Sequence, residues 1–306
     1  MSAWPITLNI VNSTKMNRSN FKTRWPLHGW LLIAVSMLLA GCALTASHPR
    51  ALLSVESFVP IASDPRIRVE PGFEAYGERV AQALPQAMAQ VEAAHYLAFA
   101  SPPRVYVCGT DACFKRYVLT PKLSAAVVPD NRLILSPNLD GKESQRLSTL
   151  LTHELAHLHL GQRIGHYQSS LPVWFHEGWA SLTANGGGAE YVTDAQAYAA
   201  IRAGRLVNLT LRDAPDKRHR AASSNLSIFE FYHQSMLLVG WLKTQDEARF
   251  RQLALAIQAN TDFNLAFWNI YGQSPATRLA GFFDGVVSQT AGSNDNEPIQ
   301  AAPAKP

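Results

Sequence analysis

An α+β fold is the class that this 306-residue sequence predicts, a small mixed or antiparallel sheet followed by a mostly helical domain. Three observations carry the expectation. Short runs rich in β-branched residues fall in the first half of the chain, at Arg104–Cys108, Ala125–Val128 and Arg132–Leu135. Apolar residues recur at helical spacing from residue 73 to 96 and through most of the chain after 142. The composition, 47% hydrophobic and 16% charged, is that of a chain able to bury a core.

The N-terminus stands apart. Four of the 27 basic residues (Lys15, Arg18, Lys22 and Arg24) and none of the 23 acidic ones lie in residues 1–41. The remainder is therefore balanced, and no nucleic-acid partner is expected. Lys22 and Arg24 precede the apolar run Gly29–Gly41, short for a transmembrane helix and apt for a signal peptide. The run ends in Leu39-Ala-Gly-Cys42, which resembles the bacterial lipoprotein signal. That resemblance implies a signal peptide over 1–41, with Met16 as an alternative start. It also implies a lipidated Cys42 as the mature N-terminus and, with alanine at 43, the periplasmic face of an outer membrane. Residues 42–68 read as a tether, 69–287 as the folded domain, and the polar tail 288–306 as disordered.

Within the domain, residues 73, 76, 80, 84, 87, 88, 91 and 94 mark a core-facing helix, with Pro85 a possible kink. Cys108 and Cys113 remain once Cys42 is lipidated, and an exported chain with an even count predicts a disulfide between them, closed by a turn at 109–111. A long helix is expected from about 142 to 160, capped by Asp140 with Glu143 and ended by Gly161. Further helices are expected near 173–184, 192–203, 226–243, 247–259 and 275–286. Gly186–Gly188 and Asp213–Arg220 read as loops, and Trp174, Trp179, Phe229 and Phe231 as core.

The chemistry sits in Leu151-Thr-His-Glu-Leu-Ala-His-Leu-His-Leu160. His153 and His157 are four residues apart, so both imidazoles leave one face of a helix and can reach one metal ion. His159 is about 200° further round at 3.6 residues per turn, so it cannot join them. A third ligand must come from elsewhere. Glu154 lies on the flank of the metal face, where it can take a proton from a metal-activated water, the arrangement that H-E-x-x-H supplies. The next segment, Val173-Trp-Phe-His-Glu-Gly-Trp-Ala180, offers His176 and Glu177 as the third ligand.

Together these segments resemble the gluzincin metallopeptidases, the broad family of thermolysin and aminopeptidase N. The resemblance spans about residues 100–286, and its specific part is the two zinc segments. It implies a zincin-like domain, one zinc ion on His153, His157 and Glu177, and Glu154 as general base. Trp174-Phe-His-Glu-Gly-Trp-Ala180 matches the aminopeptidase stretch around the zinc glutamate, which aligns Glu177 rather than His176. Phe229-Glu-Phe-Tyr-His-Gln-Ser-Met236 resembles a later family segment and implies Tyr232, or else His233, as stabiliser of the oxyanion. Asn269–Ser274 resembles the end of such domains, before a final helix. Arg132–Leu135 takes the role of the edge strand that holds substrate. Ser181 stands where the thermolysin branch has an outer-shell aspartate, and no G-x-M-E-N segment precedes the helix, which speaks against an aminopeptidase. The implied activity is hydrolysis of envelope proteins or peptides. A catalytically inactive, zinc-stabilised scaffold in an envelope complex is the alternative.

Overall fold

The computed structural model describes residues 53–118, 122–165, 168, 170–210, 212 and 225–288. Cys42, the expected signal peptide, the loop 213–220 and the tail beyond 288 lie outside these residues. The fold is mixed α+β and mostly helical, with one small five-stranded sheet. Among the described residues, no helix is long and apolar enough to cross a membrane.

The strands are β1 (Val59–Pro60), β2 (Ile67–Val69), β3 (Arg104–Val107), β4 (Ala125–Val128) and β5 (Arg132–Leu135), in spatial order β1-β2-β3-β5-β4. β2, β3 and β5 run parallel, while β1 and β4 flank them antiparallel. Two expectations are corrected here. Residues 53–68 do not form a free tether: Phe58 and Ile61 are buried, and Ile67 and Val69 of β2 are fully enclosed. Strands of two and three residues are too short to show a period-2 pattern, which is why the sequence hid them. Arg132–Leu135 is not an edge strand either. Asp130 and Asn131 both take left-handed φ values, 71° and 59°, which short polar side chains tolerate. The chain therefore doubles back, and β4 becomes the edge while β5 is buried along its length.

α1 (Glu74–His95) lays Tyr76, Val80, Leu84, Ala87 and Val91 on the sheet and contains Pro85 without a break. Tyr96, at φ 63°, ends it. The chain bends at Gly109 and Thr110, within the stretch expected as a turn, and a short helix not expected from the sequence, α2 (Asp111–Tyr117), follows. Thr110 caps it by accepting from the Cys113 N–H, and Cys108 and Cys113 are joined in a disulfide, Cα atoms 5.5 Å apart.

α3 (Leu147–Ile164) begins later than the sequence suggests, after two 3-10 turns at Pro137–Leu139 and Ser144–Arg146. The expected caps are engaged elsewhere. Asp140 pairs with Arg79, and Glu143 binds Ser124 and Arg146. Gly161 is buried within the helix, which ends instead at Gly165, φ 89°. α3 turns Leu151, Leu155 and Leu158 towards α1 and the sheet, closing one core.

The helices that follow are α4 (Val173–Thr183), α5 (Asp194–Arg202), α6 (Ile228–Gln245), α7 (Glu247–Gln258), α8 (Phe263–Tyr271) and α9 (Pro275–Ser288). Reciprocal capping boxes, Thr193 with Gln196 and Ser227 with Glu230, start α5 and α6. α8 adds to the helices expected from the sequence. Asp262 caps it by accepting from the N–H groups of Asn264 and Leu265, and Gly272 ends it at φ 70°. Trp174, Phe175, Trp179, Phe231, Phe250, Phe263 and Phe267 form the core of this helical half.

Candidate metal centre

Two helices with opposite packing duties build the site. α3 spends all its leucines but Leu160 on the sheet-side core, which leaves His153 and His157 on the face towards α4. α4 is buried on nearly every side, and its Gly178 is the reason it fits. A Cβ there would lie 2.2 Å from the Ser235 carbonyl oxygen of α6, so the backbones can approach this closely only over glycine. The preceding residue, Glu177, is thereby held against α3.

His153, His157 and Glu177 come together, with one ligand atom from each lying within 4.8 Å of the others. Nε2 of His157 is 3.1 Å from Glu177 Oε2 and 3.1 Å from Nε2 of His153. His153 Nε2 lies 3.4 Å from the same carboxylate oxygen. Both rings are oriented from behind. His153 Nδ1 donates to the Gly187 carbonyl at 2.9 Å, with the Ser181 hydroxyl further off at 3.5 Å. His157 Nδ1 faces Gln168 Oε1 at 3.4 Å. Such partners fix which nitrogen of an imidazole is left for a metal.

Burial opposes charge on both buried partners, and their mutual attraction overcomes it. For His157, burial lowers the pKa, but the Glu177 carboxylate and its hydrogen bond, with Glu154 adding to them, push it up to about 9. For Glu177, burial raises the pKa, but the His157 charge and hydrogen bonds from His153 and His157 hold it well below the usual carboxylate range. The cluster thus stores a proton that a bound divalent cation would displace.

Glu154 is half-buried and stands outside the ligand set. Its Oε2 accepts from the Val127 N–H of β4 at 3.1 Å, which puts a carboxylate between the metal face and the free sheet edge. Tyr232 of α6 sits with its ring centroid 6.3 Å from that of His153. His233, the other candidate, has both ring nitrogens in use, on the Ala189 carbonyl at 3.0 Å and Asp194 at 2.7 Å, where it ties α6 to the start of α5. His176 is buried with its ring 5.4 Å from that of His157, and it is not one of the three grouped ligands. His159 turns away, as its helical position required, and its Nδ1 lies 3.0 Å from His95 Nδ1. Trp174, Trp179 and Phe231 are core, whereas Phe229 is 42% exposed and packs on Tyr191.

Two supports escaped the sequence. Gly186–Gly188 does more than form a loop: Gly187 supplies the carbonyl for His153, and a Cβ on Gly188 would lie 3.1 Å from the His153 ring. The glycine run was the available signal. Gln168 carried none, since a lone glutamine in a polar loop has no pattern. No family model, curated protein or solved structure matches this chain.

Proposed function

We propose that this chain is a lipid-anchored zinc metallopeptidase with a zincin-like fold, acting on envelope proteins or peptides at the periplasmic face of a membrane. One observation carries the reading: two histidines of one helix and a glutamate of the next converge beside a carboxylate, Glu154, that is not among the ligands. Two imidazole nitrogens and one carboxylate oxygen form a donor set that suits zinc, and three protein ligands leave the fourth position open, as in catalytic rather than structural sites. The outer partners favour the same fit, because each Nδ1 is occupied while each Nε2 faces the Glu177 carboxylate. Support for the anchor comes from Leu39-Ala-Gly-Cys42.

Zinc bound there would polarise the substrate carbonyl and lower the pKa of a water molecule. Glu154 takes the proton from the attacking water and hands it to the leaving amine. The Tyr232 hydroxyl donates to the oxygen that gains negative charge. The outer edge of β4 offers the peptide backbone a strand to pair with, apart from the Val127 N–H, which already donates to Glu154.

Metal analysis and peptide-library digestion of full-length protein, wild type and Glu154→Gln, with and without chelator, test this. Both proteins should carry one zinc. The variant should lose about 10²–10⁴-fold in turnover. A Glu154→Gln protein that digests peptides as well as wild type would overturn Glu154 as the base, and a wild type that holds zinc and cleaves nothing would favour the scaffold reading.

A further inference from the structure

Gln168 lies in the connection between α3 and α4, and its conformation is unusual twice over. Its φ is 49°, in the left-handed region that glycine and asparagine fill most readily. It is also only 4% exposed, although long amide side chains mostly face water. Its side chain explains both. Nε2 donates to the backbone carbonyl of His157 at 2.9 Å, and Oε1 lies 3.4 Å from Nδ1 of the same residue. The backbone is fixed as well: its N–H donates to the Gly165 carbonyl at 3.0 Å, and its own carbonyl accepts from the Leu171 N–H at 2.7 Å. A left-handed residue kept in place by its bonds to a site residue is a mark of function.

We infer that Gln168 is a positioning residue for His157. It ties the loop after α3 to that imidazole, sets Nδ1 as the protonated nitrogen and leaves Nε2 for the metal. The inference rests on the metal reading above. The two histidines differ in this respect. His153 is oriented by a main-chain carbonyl that no side-chain substitution removes, whereas the partner of His157 is a side chain. Gln168 is therefore a point at which metal affinity can be altered through His157 without touching a ligand. Its amide is neutral, and a carboxylate in the same place makes a ligating imidazole more basic and a better donor.

The test uses full-length protein, with zinc and cobalt(II) ions as probes. Gln168→Leu removes both side-chain bonds to His157. Zinc affinity, measured by chelator competition, should fall about 10–100-fold, and the visible bands of the cobalt protein should shift. In Gln168→Glu an oxygen still faces Nδ1, while the other meets the His157 carbonyl. The metal-free protein should therefore unfold at lower denaturant, yet bind zinc at least as tightly as wild type and keep its cobalt spectrum. A merely structural role predicts that affinity follows stability downwards in both variants, and that result would overturn the inference. So would a leucine variant with wild-type affinity. Measuring wild type first separates the failures, because a wild type that takes up no zinc removes the metal reading itself and this inference with it.

Discussion

At the scale of the residue, adjacent positions on α4 have different duties. Glu177 is buried and meets His153 and His157 of α3, while His176 packs beside His157 without joining the group of three. Under the proposed function, Glu177→Ala removes a ligand and should lose zinc along with activity. His176→Ala removes a packed ring and should keep the zinc, with a stability cost of about 1–3 kcal/mol for the cavity left behind. Zinc content after dialysis, beside a denaturant titration, checks both. An empty site in His176→Ala and a full one in Glu177→Ala would reverse the assignment. The three residues that the structure groups were legible in the sequence, His153 and His157 by helical period and Glu177 by the match around it. Gln168 and Gly187 act through a loop, where sequence distance says nothing about spatial distance.

At the scale of the element, two helix pairings make separate predictions. The first is the crossing of α4 and α6. Gly178→Ala drives a Cβ into the Ser235 carbonyl, an atom that cannot move without its helix. It should destabilise the fold by about 1–3 kcal/mol or more and weaken zinc binding through Glu177. Gly240→Ala, on α6 itself, meets nothing closer than 3.6 Å and should be neutral or stabilising by about 0.4–1 kcal/mol. Denaturant midpoints decide, and equal effects at the two sites would defeat the argument. The second pairing joins α1 to α3 through buried His95 and His159. His159 Nε2 is 2.9 Å from the Leu97 carbonyl, nearer than Arg163 at 3.4 Å, so Nε2 carries the proton. Nδ1 then accepts from His95, and both rings are neutral. Burial lowers the pKa of His159 to about 4, and burial, with the neighbouring His159 next, holds His95 well below the usual histidine range. The unfolded chain protonates both near pH 6.5 while the folded one does not, so stability is complete above that pH and falls as pH drops towards about 4. The slope should approach about 1.4 kcal/mol per pH unit for each histidine. Denaturation of chelator-treated protein at pH 7.5 and 5.5 should show the loss, and His95→Leu should lessen it. Because His157, with its raised pKa, gains stability over part of the same range, the comparison with His95→Leu decides: the same pH dependence in both proteins would contradict the neutral pair.

At the scale of the whole molecule, the described residues form a sheet-and-helix half and a helical half, joined where α3 meets α4. The signal motif predicts how this body is held: mass spectrometry of the membrane fraction should find an acylated N-terminal Cys42, and a soluble mature protein beginning at another residue would refute it. The sequence by itself determined the α+β class, most of the long helices, the cysteine pair and the helical face shared by His153 and His157. All of these follow from local period, composition or count, which each stretch of chain carries within itself. The tertiary structure alone decided which strand is the edge, since a sharp left-handed turn at Asp130 and Asn131 sets β4 outside β5. It recruited residues 53–68 into the fold, because strands that short are stabilised by their neighbours and not by their own pattern. It also moved the start of α3, because the residues suited to cap it are engaged by Arg79 and Ser124 across the fold and by nearby Arg146. And it built the rear of the candidate metal centre, where a loop carbonyl and a left-handed glutamine reach the histidines across gaps in sequence that no local rule can span.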